Sequence, residues 1–189
     1  METSKSELLK SVVIRFKKRR NKLLIPKSEL DFLELFLKKN ISDDIVVINT
    51  NIGLGIYYAA EKDHSEIIKH SILSHTKEDS KHLIFLKDHS FESLKINFTK
   101  AFYTFAKYPR LFFSYVKKFI YLRKKYAESK VVMPSLNKLY LKALNHLNDQ
   151  GNLPFVNKII ALDHHFIQSN SNSILAELAA KMNAKEHLN

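Results

Sequence analysis

The chain has 189 residues, 45% of them apolar, which is enough to bury one substantial core. Without cysteine it can build no disulfide framework, no thiolate nucleophile and no cysteine-ligated metal centre. Its 31 lysines and arginines against 19 acids leave a net charge of +12 and a pI of about 9.7, which directs attention to anionic partners: nucleic acid, a phospholipid surface or an acidic protein.

Residues 1–10 are polar and charged, with no apolar segment ahead of a small-residue cleavage site, so no secretory signal is expected. The expected location is cytoplasmic, or a host cell reached without a cleavable signal. Residues 6–24 carry Leu8, Leu9, Val12, Val13, Phe16, Leu23 and Leu24 at helical spacing, and Pro26 closes the pattern; they predict an amphipathic helix. Within it Lys17, Lys18, Arg19, Arg20 and Lys22 form a basic knot suited to a solvated helix end. Ser28 can cap a second helix running to about Asn40 through Leu30, Phe32, Leu33, Leu35, Phe36 and Leu37, which makes the pair a hairpin.

Four β-branched residues at 45–48 predict a short extended segment, and the polar run 49–55, with its two glycines, predicts a turn. Gly53 and Gly55 are not followed by the third glycine or the lysine of a phosphate loop. The longest weakly charged stretch, 45–60, falls short of the roughly 20 residues of a spanning helix, so no transmembrane segment is expected. Residues 56–62 and 65–73 are each apolar on one face and predict a second hairpin.

From Gly53 to Leu73 the order Gly-Leu-Gly-Ile-Tyr-Tyr-Ala-Ala-Glu-Lys-Asp-His-Ser-Glu-Ile-Ile-Lys-His-Ser-Ile-Leu resembles one ankyrin repeat, extending over about residues 49–77. The resemblance implies Ala59 and Ala60 where two helices touch, His64 in the turn, and Ile67 and Ile68 on the buried face of the second helix. Leu54, Gly55, Ile56 and Tyr57 stand at the Thr-Pro-Leu-His positions of that family, and Asp63 replaces its usual glycine. Apolar pairs after turns recur at Phe32-Leu33, Ile67-Ile68, Phe112-Phe113 and Phe155-Val156, spaced by 35, 45 and 43 residues. The first interval is near the ankyrin period of about 33, and the others fall in the HEAT and armadillo range of roughly 40 to 47. The fold expected from these features is all-α: one domain over 1–189, an irregular stack of helical hairpins, ankyrin-like or HEAT-like. A final amphipathic helix with Leu175, Leu178, Ala179 and Met182 on one side would cover its end.

The stretch 98–126 holds eleven of the chain's 21 aromatic residues, and 100–130 holds nine bases against the single acid Glu128. On a helix after Pro109, Phe112, Val116, Phe119 and Ile120 share one face, while Lys117, Lys124 and Lys125 share another with Tyr121. Two readings stand: a core helix with lysines reaching into water, or a face made by Lys117, Lys118, Tyr121, Lys124 and Lys125, joined by Arg19 and Arg20, that grips an anionic partner. Lysine supplies 26 of the 31 bases, whereas phosphate and base recognition favours the bidentate guanidinium of arginine, which weakens the nucleic-acid reading, and a coding bias toward A and T is an alternative source of the lysine excess.

His75, His82 and His89 recur every seven residues, and Asp163-His164-His165 are contiguous, but neither group supplies three converging metal ligands by spacing alone. The triplet matches one element of the DHH phosphoesterases, whose further aspartate motifs are absent. No catalytic residue, metal or cofactor is nominated. The leading expectation is a non-enzymatic protein-protein interaction module, an adaptor or bacterial effector-like protein, presenting a helical-hairpin surface. The alternatives are a basic helical protein that binds anionic membrane lipid or nucleic acid, and an enzyme with a histidine-containing site.

Overall fold

The computed structural model, which describes residues 5–18 and 22–167, opens with a 3-10 turn (Lys5–Leu8) and a strand, β1 (Leu9–Phe16), where a helix was expected. Helix α1 (Lys27–Asn40) follows, then the hairpin β2 (Ile45–Thr50) and β3 (Gly53–Ala59), helix α2 (Ser65–His75) and strand β4 (Leu83–Asp88). Helices α3 (Phe91–Ala106), α4 (Pro109–Lys125), α5 (Val132–Asp149) and α6 (Val156–Ile167) complete the described chain. The fold is therefore mixed α/β, six helices with a four-stranded antiparallel sheet among the described residues, and the all-α hairpin stack is overturned.

The sheet has the order β2-β3-β1-β4, every pairing antiparallel. Strand, helix, two strands, helix and strand in this order make the split βαβ connectivity of ferredoxin-like folds. The physical reason that β1 escapes recognition lies in its burial. Val12, Ile14 and Phe16 enter a core shared with Leu33 and Leu37 of α1 and Ile68 and Ile72 of α2. Leu9 and Ser11, on the opposite face of the pleat, are buried as well. A strand buried on both faces shows no alternation, and apolar residues at positions 8, 9, 12, 13 and 16 fit helical spacing equally well.

The same correction applies to the ankyrin-like segment, whose first half is β3. Ala59 pairs with Leu9 across the sheet, and the Ala60 amide donates to the Leu8 carbonyl at 3.0 Å, so neither alanine lies at a contact between two helices. His64 precedes α2 and donates its backbone N–H to the Tyr58 hydroxyl (3.2 Å). Ile68 is fully buried, while Ile67 is 45% exposed and does not belong to the core face. Gly53 is required by close approach: a Cβ there would strike the Ile14 carbonyl oxygen and the Arg15 backbone of β1.

The chain divides into two compact units, Met1–Asn97 with Tyr126–Leu136, and Phe98–Lys125 with Asn137–Asn189. The first holds the sheet, α1 and α2. On the β1 face away from those helices, Asp88 accepts hydrogen bonds from Ser11 Oγ (2.6 Å) and Asn97 Nδ2 (2.7 Å). At the start of α5, Asp44 Oδ2 accepts from the backbone N–H groups of Lys130 (3.0 Å) and Val131 (2.7 Å), while Asp44 Oδ1 accepts from Ser129 Oγ. The second unit is helical in its described part, with an aromatic centre. Phe119 stacks on Tyr140 with ring centroids 4.5 Å apart, and Phe102 packs edge-on against both Phe112 (5.0 Å) and Tyr140 (5.6 Å).

Candidate anion-binding surface

Helix α4 sorts its residues by face. Phe112, Val116, Phe119, Ile120 and Leu122 are buried, which commits much of the aromatic concentration to packing. Arg110, Ser114, Lys117, Tyr121 and Lys124 are all exposed, at steps of four, three, four and three residues. Those steps keep them on one stripe of a helix with 3.6 residues per turn, and each seven-residue step advances about 10.5 Å. Lys125 is exposed beside the stripe. Lys118 is half-buried with its ammonium 5.2 Å from the centre of the Tyr121 ring, and Tyr121 itself remains 57% exposed. The five residues expected from α4 are thus close along one helix. Arg19 and Arg20 lie outside the described residues.

One base in the stretch is used differently. Arg123 points inward, donating to Asn137 Oδ1 (3.1 Å) and pairing with the fully buried carboxylate of Asp163. That pairing gives the aspartate of the Asp-His-His triplet a partner within the helical unit. Among the described residues no group of three histidine, cysteine, aspartate or glutamate side chains is placed to hold a metal. His75 ends α2, His82 sits in a 3-10 turn and His89 follows β4, so the seven-residue spacing does not put them on one helix.

Charge follows the division into units. The unit Phe98–Lys125 with Asn137–Asn189 has thirteen lysines and arginines against four acids, a net +9, whereas the sheet-containing unit has 18 against 15, a net +3. Within the described part of the helical unit, Lys100, Lys107, Arg110, Lys117, Lys124, Lys125, Lys138, Lys142 and Lys158 are exposed, and Asp149 is the exposed acid. The bases are equally dense in the two units, 18 in 108 residues and 13 in 81, as a coding bias toward lysine would leave them; the difference in net charge comes from the acids, 15 against four.

A second polar cluster surrounds Asp63 between β3 and α2. Its carboxylate accepts from Ser65 N (2.9 Å), Ser65 Oγ (3.1 Å) and the Tyr58 hydroxyl (3.2 Å), and His89 Nδ1 lies 3.2 Å away. Burial opposes ionisation of Asp63, but these donors and His89 outweigh it and hold the carboxyl below its ordinary range. Burial, reinforced by Asp63 and partly offset by the His64 N–H, pushes the Tyr58 phenol up to about 12. The arrangement caps the first turn of α2, satisfying amides that helix geometry leaves open. It holds a proton on Tyr58 and keeps one off Asp63, whose two oxygens each accept from protein donors.

Sequence reasoning missed the burial of the Glu34, Asp88 and Asp163 carboxylates, which are 6%, 5% and 0% exposed; the Asp-His-His triplet marks Asp163 without showing that it is buried. Their partners, Tyr126, Ser11 and Arg123, lie 92, 77 and 40 residues away, and no local pattern encodes such pairs. Among the described residues no helix is long and apolar enough to cross a membrane. No known protein family, curated protein or solved structure matches the chain.

Proposed function

We propose that the chain is a non-enzymatic binding module whose helical unit docks on the phosphate backbone of nucleic acid without reading sequence. The observation that carries this reading is the concentration of +9 in that unit, with nine exposed bases and one exposed acid in its described part. Lysine ammonium groups act as point charges suited to phosphates, whereas base-edge readout favours the bidentate guanidinium. Tyr108 and Tyr121, 56% and 57% exposed, offer ring faces beside those charges on which bases can stack. Immersion in a bilayer fits less well, because the apolar face of α4 is already occupied by packing and an interfacial helix needs that face free. A protein-partner reading based on a hairpin-stack surface loses its premise with the sheet.

The test measures fluorescence anisotropy of mixed-sequence RNA and DNA oligonucleotides at several salt concentrations. The expected log-log plot is steep, and replacing Lys117, Lys124 and Lys125 together by Gln lowers its slope by about 3, roughly one unit per lost phosphate contact. Lys62→Gln with Lys77→Gln, both exposed positions of the other unit, leaves the slope unchanged. No binding to either nucleic acid at low salt overturns the reading, and flotation with anionic vesicles alone reassigns the surface to lipid.

A further inference from the structure

Helix α1 presents two apolar faces. Leu33 and Leu37 are fully buried on the sheet side. On the side facing water, Phe32 and Leu35 are each 68% exposed and Phe36 is 42% exposed, with exposed Glu29 and Lys39 at either end of the same stripe. A single exposed leucine needs no explanation, but three large apolar side chains within five residues make a patch of the kind that marks an interaction site. Lys38 and Glu34, by contrast, are engaged with one another at 3.2 Å and take no part in it.

The stripe carries its own complement. A second α1 laid antiparallel, with a two-fold axis at position 34, sets Glu29 opposite Lys39 of the other copy and Phe32 opposite Phe36, twice over, with Leu35 beside the axis. Parallel pairing instead opposes Glu29 to Glu29 and Lys39 to Lys39. An acidic first turn and a basic last turn suit the helix dipole by themselves, but the dipole gives no reason for the exposed phenylalanines and leucine between them. We infer that α1 is a self-association surface, pairing antiparallel with α1 of a second copy of this chain. A closed two-fold contact of this type uses one patch on both copies. It is independent of the phosphate-binding surface on α4.

The experiment follows the mass of the full chain by sedimentation velocity over a concentration series, with circular dichroism confirming that each variant stays folded. The 22.0 kDa chain is expected to dimerise as concentration rises, and Leu35→Glu is expected to hold it as a monomer. Glu29→Lys and Lys39→Glu each weaken the dimer several-fold, and the double variant restores it, since the swap recreates both pairs. Because the chain has no cysteine, Leu35→Cys supplies its single thiol, and a short bismaleimide is expected to join two copies. Ser28→Cys is expected to resist the same reagent. In the antiparallel pair its two copies lie about 18 Å apart along the axis, at 1.5 Å per residue, whereas parallel helices hold them at roughly the 8–10 Å interaxial distance. A monomer at every concentration, a dimer indifferent to Leu35→Glu and the charge swaps, or Ser28→Cys cross-linking as readily as Leu35→Cys overturns the proposal.

Discussion

Two buried tyrosines of similar environment are expected to respond in opposite ways to loss of one oxygen. The Tyr126 hydroxyl donates to Glu34 Oε2 (2.9 Å) and accepts from the Val47 N–H (3.2 Å). Removing it by Tyr126→Phe deprives a buried carboxylate and a strand amide of a partner, and is expected to cost about 1–3 kcal/mol in urea unfolding. The Tyr140 hydroxyl is buried with no hydrogen-bond partner among the described residues, so Tyr140→Phe is expected to be neutral or to stabilise by about 1 kcal/mol. Equal losses for the two variants would show that ring packing rather than hydroxyl satisfaction sets both. Burial also raises the phenol pKa of Tyr58, Tyr115, Tyr126 and Tyr140. A raised folded pKa means the native state holds its proton longer than the unfolded chain. The stability this contributes is complete below the ordinary value of 10.0 and is lost as pH rises through the folded value, about 12 for Tyr58. Urea midpoints are therefore expected to fall steeply above pH 10, and less steeply in Tyr58→Phe.

Among the elements, α1 and α2 were legible because turn residues bound each one and the buried face of each repeats at helical spacing, Leu33 and Leu37 in α1 and Ile68 and Ile72 in α2. Strands β1 and β3 were not. Both are buried on two faces, and the Gly-Leu-Gly-Ile-Tyr-Tyr-Ala of β3 supplied small and apolar residues that a helical hairpin also uses. The turn ending α5 rests on Gly151, which has a φ of 68° and lets the Asn152 N–H reach the Leu147 carbonyl at 2.8 Å, closing the helix in a Schellman motif. The opposite end of α5 was not readable, because its cap comes from Asp44, more than 80 residues earlier. Asp44→Ala removes the acceptor for the Lys130 and Val131 amides and for Ser129 Oγ at once, and is expected to cost about 1–2 kcal/mol, the upper range for a lost cap. Asp44→Asn, which keeps one acceptor oxygen, is expected to recover part of that loss in thermal melts.

For the whole molecule, the basic and aromatic character of residues 98–126 was visible in composition, but its division between core and surface was not. A helix period distinguishes the two faces of α4 only once the fold decides which face is covered, and Arg123 shows the limit of the pattern: it lies among surface lysines in sequence and is spent on buried Asp163. The two faces make opposite predictions, and together they test whether folding and binding are separable in this unit. Phe119 is 1% exposed and stacks on Tyr140, so Phe119→Ala leaves a cavity and is expected to cost about 3–5 kcal/mol. Molecules that remain folded should bind nucleic acid as the parent does, because the cavity lies on the covered face. The triple change of Lys117, Lys124 and Lys125 to Gln should do the reverse, altering stability by no more than about 0.5 kcal/mol per site while weakening association at every salt concentration. The measurement pairs an unfolding curve with a binding isotherm for each variant, taken where the parent and Phe119→Ala are both folded. If the lysine variants lose stability in proportion to binding, the charge belongs to the packing of the unit. If Phe119→Ala loses affinity while folded, the binding face includes the aromatic side of the helix.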